Sequence, residues 1–81
     1  MHRAPGSDDV SQELALLGRA IRAVRKEKRI SQEELADIAG LDRSHMGRIE
    51  RGERNVSFLN LVRVAHALDC KLSEILAASG L

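Results

Sequence analysis

The segment 31–52, SQEELADIAGLDRSHMGRIERG, constrains the fold more than any other part of the chain. Ser31 followed by Glu34 forms the S-x-x-E capping box, which satisfies the free N–H groups at the start of a helix. Gly40 lies where this helix must end, because glycine adopts the left-handed conformation without strain. Asp42 is then predicted to cap a second helix. Two helices joined by so short a turn cross at a steep angle, and this geometry can place the second helix in a DNA major groove.

Apolar residues elsewhere recur at spacings of three and four, and few segments alternate with a period of two, so the fold class is predicted to be all-α. We expect five helices in one compact domain over residues 10–81, after a disordered tail at 1–9. Ser57 is predicted to cap the fourth helix. The expected inward-facing residues of the first four helices, in chain order, are Leu14, Leu17, Ile21, Val24, Leu35, Ala36, Ile38, Ala39, Met46, Ile49, Phe58, Leu61, Val64, Ala65 and Leu68. The fifth helix carries the apolar residues Leu72, Ile75 and Leu76.

Positive charge is concentrated in two parts of a chain whose net charge is only +1. The stretch 19–29 carries six basic residues against one acid, whereas 31–40 carries three acids and no base. Four further arginines follow, at Arg43, Arg48, Arg51 and Arg54. A basic patch on a nearly neutral protein suits a nucleic acid bound on one face. The distribution alone leaves open ordinary solvated helix surfaces.

Several other classes of protein lack their usual signatures in this sequence. The single Cys70 excludes an internal disulfide and is expected to be a small core residue, with a reactive thiol as the alternative. His2, His45 and His66 have no spacing that makes a metal site with it, and no cofactor is expected. No apolar run is long enough for a membrane span, and no signal peptide is evident, so we expect a cytoplasmic protein, associated with the nucleoid when bound to DNA. No nucleophile–base pair or glycine-rich phosphate loop indicates an enzyme, nor is a small-molecule effector evident.

Four short motifs give the chain a family resemblance. S-Q-E-E-L-A at 31–36, A-G-L at 39–41 and I-E-R-G at 49–52, with V-A-H-A-L-D at 64–69, resemble the Cro/lambda-repressor type of helix-turn-helix regulator, also called the xenobiotic-response-element family. L-D-R-S-H at 41–45 with R-G-E-R-N at 51–55 is most similar, within that family, to restriction–modification controller proteins. The resemblance implies a sequence-specific regulator that binds double-stranded DNA.

The resemblance also implies roles for particular residues. The positions that read bases are Arg43, Ser44, His45 and Arg48. An arginine can donate two hydrogen bonds to guanine O6 and N7. Gly47 between them is expected to let the second helix approach the floor of the groove. The alternative for each arginine is a solvated surface charge.

A second group of residues is expected to position the protein without reading sequence. Gln32 matches the family glutamine that contacts a backbone phosphate, and Arg51, Arg54 and Asn55 match the loop that contacts phosphates of the flanking strand. Glu53 in that loop is expected to point away from the DNA. Arg25 and Glu50 match an ion pair between the first and third helices.

One recognition helix reads too few base pairs for a genomic site, and the family solves this by pairing two domains. We therefore expect a homodimer on a palindromic operator. The expected interface consists of Leu59, Val62, Leu72, Ile75 and Leu76. The alternative is that the last helix only covers the core of a monomer.

Two other functions are possible alternatives: a protein-interaction module and an enzyme. An antitoxin or adaptor module, acting mainly through protein–protein contact, would show no sequence preference in a DNA-binding assay. The basic third helix disfavours it. His66 and Cys70, four residues apart, come nearest to a catalytic couple, and they are expected to lie at the edge of the core.

Overall fold

The computed structural model describes the backbone of residues 8–81 and the side chains of residues 12–81. It contains five helices, as predicted: α1 (Asp8–Glu27), α2 (Gln32–Ala39), α3 (Arg43–Glu50), α4 (Phe58–Ala67) and α5 (Leu72–Ser79). α1 packs against α5 and α3, while α2 packs against α3 and α4. Within the described residues, no helix is long and apolar enough to cross a membrane.

The first helix begins earlier than the sequence suggested. Asp8 and Asp9, assigned above to the tail, belong to α1. Acidic residue types are favoured in a first helical turn because the helix dipole is positive there. The rest of the predicted tail, with His2, lies outside the described residues.

The predicted core is largely confirmed, with three exceptions, of which one, Leu14, is only partly buried and lies outside the core cluster. Every buried apolar side chain belongs to one cluster, in which Ile21, Leu35, Met46, Ile49, Val64, Leu68 and Ile75 are the largest fully buried members. Ile38 and Phe58, however, were wrongly predicted to face inward and are 60% and 68% exposed. α2 buries Leu35, Ala36 and Ala39, and Ile38 lies off that face. Phe58 is the first residue of α4, and Val56 in the preceding loop is buried instead.

Both ends of α2 have the predicted local geometry. The Ser31 hydroxyl accepts from the backbone N–H of Glu34 at 3.0 Å, and the Glu34 carboxylate accepts from the backbone N–H of Ser31 at 2.9 Å. Gly40 has φ 72°, in the left-handed region. Asp42 occupies the cap position of α3, but its carboxylate accepts from the Ser44 hydroxyl at 2.9 Å rather than from a helix N–H. Backbone hydrogen bonds and one carboxylate–hydroxyl contact therefore fix the entry to α3.

Candidate nucleic-acid interface

The outer face of α3 presents polar and basic side chains to solvent. Met46 and Ile49 are buried and anchor the inner face. Arg43, Ser44 and Arg48 are exposed, and His45 is partly exposed. Because the helix fixes these opposite faces, both arginines point away from the core. Within residues 12–81 neither guanidinium is paired with a carboxylate, so both are available to an external acceptor.

One cleft brings together residues from both predicted groups. A cleft of about 370 Å³ is lined by Gln32, Arg43, Ser44, Arg48 and Arg51. The tertiary structure therefore places the N-terminus of α2 next to the exposed face of α3. Three arginines converge there, which suits a polyanionic ligand.

The predicted ion pair between α1 and α3 is present. Nε of Arg25 donates to Oε2 of Glu50 at 2.7 Å, and Nη2 donates to Oε1 at 3.0 Å. Both side chains are largely buried, at 10% and 3% exposed. The hydrogen bond to Glu50 raises the pKa of Arg25, although burial acts in the opposite direction. Nη1 of Arg25 also donates to the carbonyl of Ile30 at 3.1 Å, so the guanidinium ties the end of α1 to the end of α3.

Gln32 is held by the same carboxylate. Its Nε2 donates to Oε1 of Glu50 at 3.0 Å. An amide nitrogen carries two N–H groups, so one remains for a phosphate oxygen. The structure thus places Gln32 at the start of α2, where the sequence predicted it, with an orientation that the sequence could not give.

Gly47, which was expected to let the second helix approach the floor of the groove, is covered by neighbouring side chains. It is buried, and a Cβ built on it would lie 3.1 Å from Nη1 of Arg51 and 3.3 Å from Oε1 of Gln32. The absence of a side chain at this position therefore makes room for Arg51 and Gln32 to lie close together over α3.

Arg51 has a carboxylate partner in its own loop. Glu53, which was expected to point away from the DNA, accepts through its carboxylate from Nε of Arg51 at 3.0 Å and from Nη2 at 3.2 Å. The hydrogen bond raises the pKa of Arg51 and lowers that of Glu53, with the charge of Arg48 adding to the second shift. Both side chains are exposed. Arg54 and Asn55, the other predicted residues of this loop, are exposed as well.

Sequence reasoning did not single out Arg22. This residue lines a second cleft, of about 260 Å³, with Arg25, Gln32, Glu50 and Arg51. The carboxylate of Glu50 is already bound by Arg25 and Gln32, so the cleft is positive overall. Residues three apart on a helix share a face, and this spacing between Arg22 and Arg25 was the signal that could have identified it.

The predicted dimer residues fall into different environments. Leu59 is 67% exposed, and Val62 is partly exposed. Leu72 and Leu76 are partly buried against the core. Ile75 is 0% exposed, so including it in an interface was wrong: its side chain is already used by the core of a single chain.

A third cleft lies between α4 and α5 and contains Cys70. It measures about 530 Å³ and is also lined by His66, Asp69, Lys71 and Glu74. Burial raises the pKa of the Cys70 thiol, and Glu74 adds to the shift. The residue is partly buried against the core. Within the described residues, no group of three or more His, Cys, Asp or Glu is placed to hold one metal ion.

Comparisons with known proteins match the fold and cover the helices that form these clefts. The family described as Helix-turn-helix matches residues 21–75. The control protein C.SmaI of Serratia marcescens is 39% identical over 66 residues, which cover 82% of this chain and 79% of that protein. The immunity repressor protein of Bacillus phage phi105 is 42% identical over 59 residues, which cover 73% of this chain and 41% of that protein. The crystal structure of the restriction–modification controller protein C.AhdI from Aeromonas hydrophila superimposes with a TM-score of 0.76 at 47% identity, covering 76% of this chain and 94% of that one.

Proposed function

The chain belongs to the helix-turn-helix family of Cro/lambda-repressor type and is a DNA-binding transcriptional regulator, and from this premise we propose that it binds a palindromic operator as a homodimer with α3 of each copy in a major groove. Membership of a regulator family confirms the expectation that the chain is not an enzyme. The observation that carries the proposal is the exposed face of α3, where Arg43 and Arg48 have no internal carboxylate partner within residues 12–81. Such a regulator acts where its DNA is, in the cytoplasm.

Base reading is assigned to the exposed face of α3. Arg43 donates two hydrogen bonds to a guanine, and Arg48, one turn further on, reads a second base. Ser44 and His45 lie beside them on the exposed side of the helix. Asp42 holds the Ser44 hydroxyl as a donor, so the oxygen of that hydroxyl is left to accept from a base amino group.

Phosphate contacts are assigned to the residues around the start of α2 and after α3. Gln32 and Arg51 line the cleft next to Arg43, and Arg54 and Asn55 follow in the exposed loop. These contacts fix the register of the protein on the duplex and carry no sequence information. Arg22 joins this group because it lines the adjoining cleft.

The homodimer is supported by apolar surface on α4. Leu59 is 67% exposed and lies beside the 68% exposed Phe58, with Val62 one turn further along the helix. Leu72 and Leu76 on α5, which packs against α4, are partly buried and are assigned to the edge of the same interface. Two copies joined there would present two α3 helices to half-sites about one DNA turn, roughly 34 Å, apart.

Selection of bound sites from random DNA duplexes tests the proposal. We expect a two-fold symmetric pair of half-sites. In the Arg43→Ala variant one position in each half-site should lose its preference, a change of about 1–3 kcal/mol in discrimination. Lys71→Ala, which removes the same charge from a different cleft, serves as the control. An Arg43→Ala variant with wild-type preferences would refute the assignment of base reading. Wild-type protein without any preference, but in a stable complex with another protein, would favour the adaptor alternative.

A further inference from the structure

Arg51 lines two adjoining clefts of the proposed interface. It is the residue that follows α3, and it lines both the cleft with Arg43 and the cleft with Arg22. Its Nη1 lies over Gly47, near Gln32. A DNA phosphate that enters either cleft therefore meets this guanidinium.

One pair of phosphate-binding donors on Arg51, the N–H of Nε and one N–H of Nη2, is already in use, while Nη1 lies outside this contact. Nε and Nη2 form a two-pronged contact with the carboxylate of Glu53. Arginine binds carboxylate and phosphate through the same parallel pair of N–H groups. A phosphate that takes these two donors must first displace Glu53.

We propose that Glu53 competes within the chain with DNA phosphate for Arg51, and so lowers the affinity of the protein for every duplex without changing its base preference. The proposal rests on the proposed function, since it deepens one contact of that interface. Glu53 lies two residues after Arg51, so its local concentration is high and independent of the DNA.

The competition weakens DNA binding but does not prevent it. Exposed pairs of this kind are weak, so a phosphate displaces Glu53 readily, and the effect on affinity is about two- to fivefold per copy. The hydrogen bond from Arg51 lowers the pKa of Glu53, so the carboxylate stays ionised to more acid pH, and the competition weakens as the pH falls through that lowered pKa. The charge of Arg48 also lowers the pKa of Glu53. A Glu53 carboxylate displaced from Arg51 would therefore still face a positive charge.

A double-mutant cycle on duplex affinity tests the proposal. Glu53→Gln should bind a selected operator and an unrelated duplex about two- to fivefold more tightly per copy. In an Arg51→Ala background the same change should give no gain, because the donors that Glu53 occupies are absent. The salt dependence of Glu53→Gln should also be steeper than that of the wild type, since the freed guanidinium neutralises a phosphate without releasing a carboxylate.

A gain in affinity that does not depend on Arg51 would contradict the proposal. Removal of a negative charge can strengthen DNA binding simply by reducing repulsion, and then Glu53→Gln would gain the same factor with and without Arg51. That outcome overturns the proposal and leaves the proposed function intact. Glu33→Gln, at an exposed acid on α2, is the control and should show no dependence on Arg51. Absence of DNA binding by the wild-type protein would overturn the proposed function itself, and this inference with it.

Discussion

The side-chain amide of Gln32 donates to Oε1 of Glu50 at 3.0 Å, and the same oxygen accepts from Nη2 of Arg25, also at 3.0 Å. One carboxylate at the end of α3 therefore holds a residue from α1 and a residue from α2. The ion pair that anchors α3 also orients a proposed phosphate-contacting side chain. We therefore expect changes at Glu50 to affect both stability and DNA binding.

Replacement of Glu50 by alanine should destabilise the fold. The change leaves the largely buried guanidinium of Arg25 without its carboxylate partner, so the free energy of unfolding should fall by about 2–4 kcal/mol. Urea unfolding followed by circular dichroism measures the change. Glu33→Ala, at an exposed position on α2, is the matched control. A loss for Glu50→Ala as small as that of the control would show that the pair contributes little.

Arg22→Ala should weaken binding to all duplexes alike. If Arg22 contacts one phosphate per copy, its loss should reduce the slope of log affinity against log salt by about 0.9 per copy and leave the preferred sequence unchanged. Fluorescence anisotropy titrations over a range of salt concentrations give both quantities. Lys71→Ala carries the same change in net charge but lies in the cleft between α4 and α5. Equal slopes for the two variants would argue against a direct contact by Arg22.

Gly47→Ala should separate stability from DNA binding. Alanine favours helix over glycine by about 1 kcal/mol, so the variant should be as stable as the wild type or slightly more so. The new methyl group would lie 3.1 Å from Nη1 of Arg51 and must push that flexible side chain aside, so affinity for any duplex should fall several-fold. Urea unfolding and DNA titration measure the two effects. Ser73→Ala, at an exposed position on α5, is the control, and unchanged affinity of Gly47→Ala would contradict the expectation.

Leu59→Asp should convert a dimer into a monomer without unfolding it. Leu59 is 67% exposed in the single chain, so a charge there costs the monomer little, whereas the same charge in an apolar interface would lie unpaired. Sedimentation at tens of micromolar measures the oligomeric state. Ala23→Asp, at an exposed position on α1, controls for the added charge. A wild-type protein that sediments only as a monomer would exclude the proposed interface.

Much of the fold could be predicted because its signals are local. The capping box joins Ser31 and Glu34, which are three residues apart, and the left-handed conformation belongs to Gly40 alone. The structure shows both as predicted. Asp69 likewise adopts φ 55° after α4, which aspartate tolerates better than most residues. Ile38 and Phe58 were misplaced because the periodicity of apolar residues does not say how far the buried arc of a short helix extends.

The sequence by itself determined the five helices, the turn between α2 and α3, and the exposed arginines of α3, since these follow from spacing and from contacts between near neighbours. Only the tertiary structure decided which charged groups share a cleft. Arg22 lies ten residues before Gln32 and many more before Arg51, and packing of α1 against α3 brings all three to one place. Electrostatic interactions depend on distance in space, so the hydrogen bond from Gln32 to Glu50 was settled by the packed helices and not by the order of the residues. The pair of Arg51 and Glu53 is instead a contact between near neighbours in the chain.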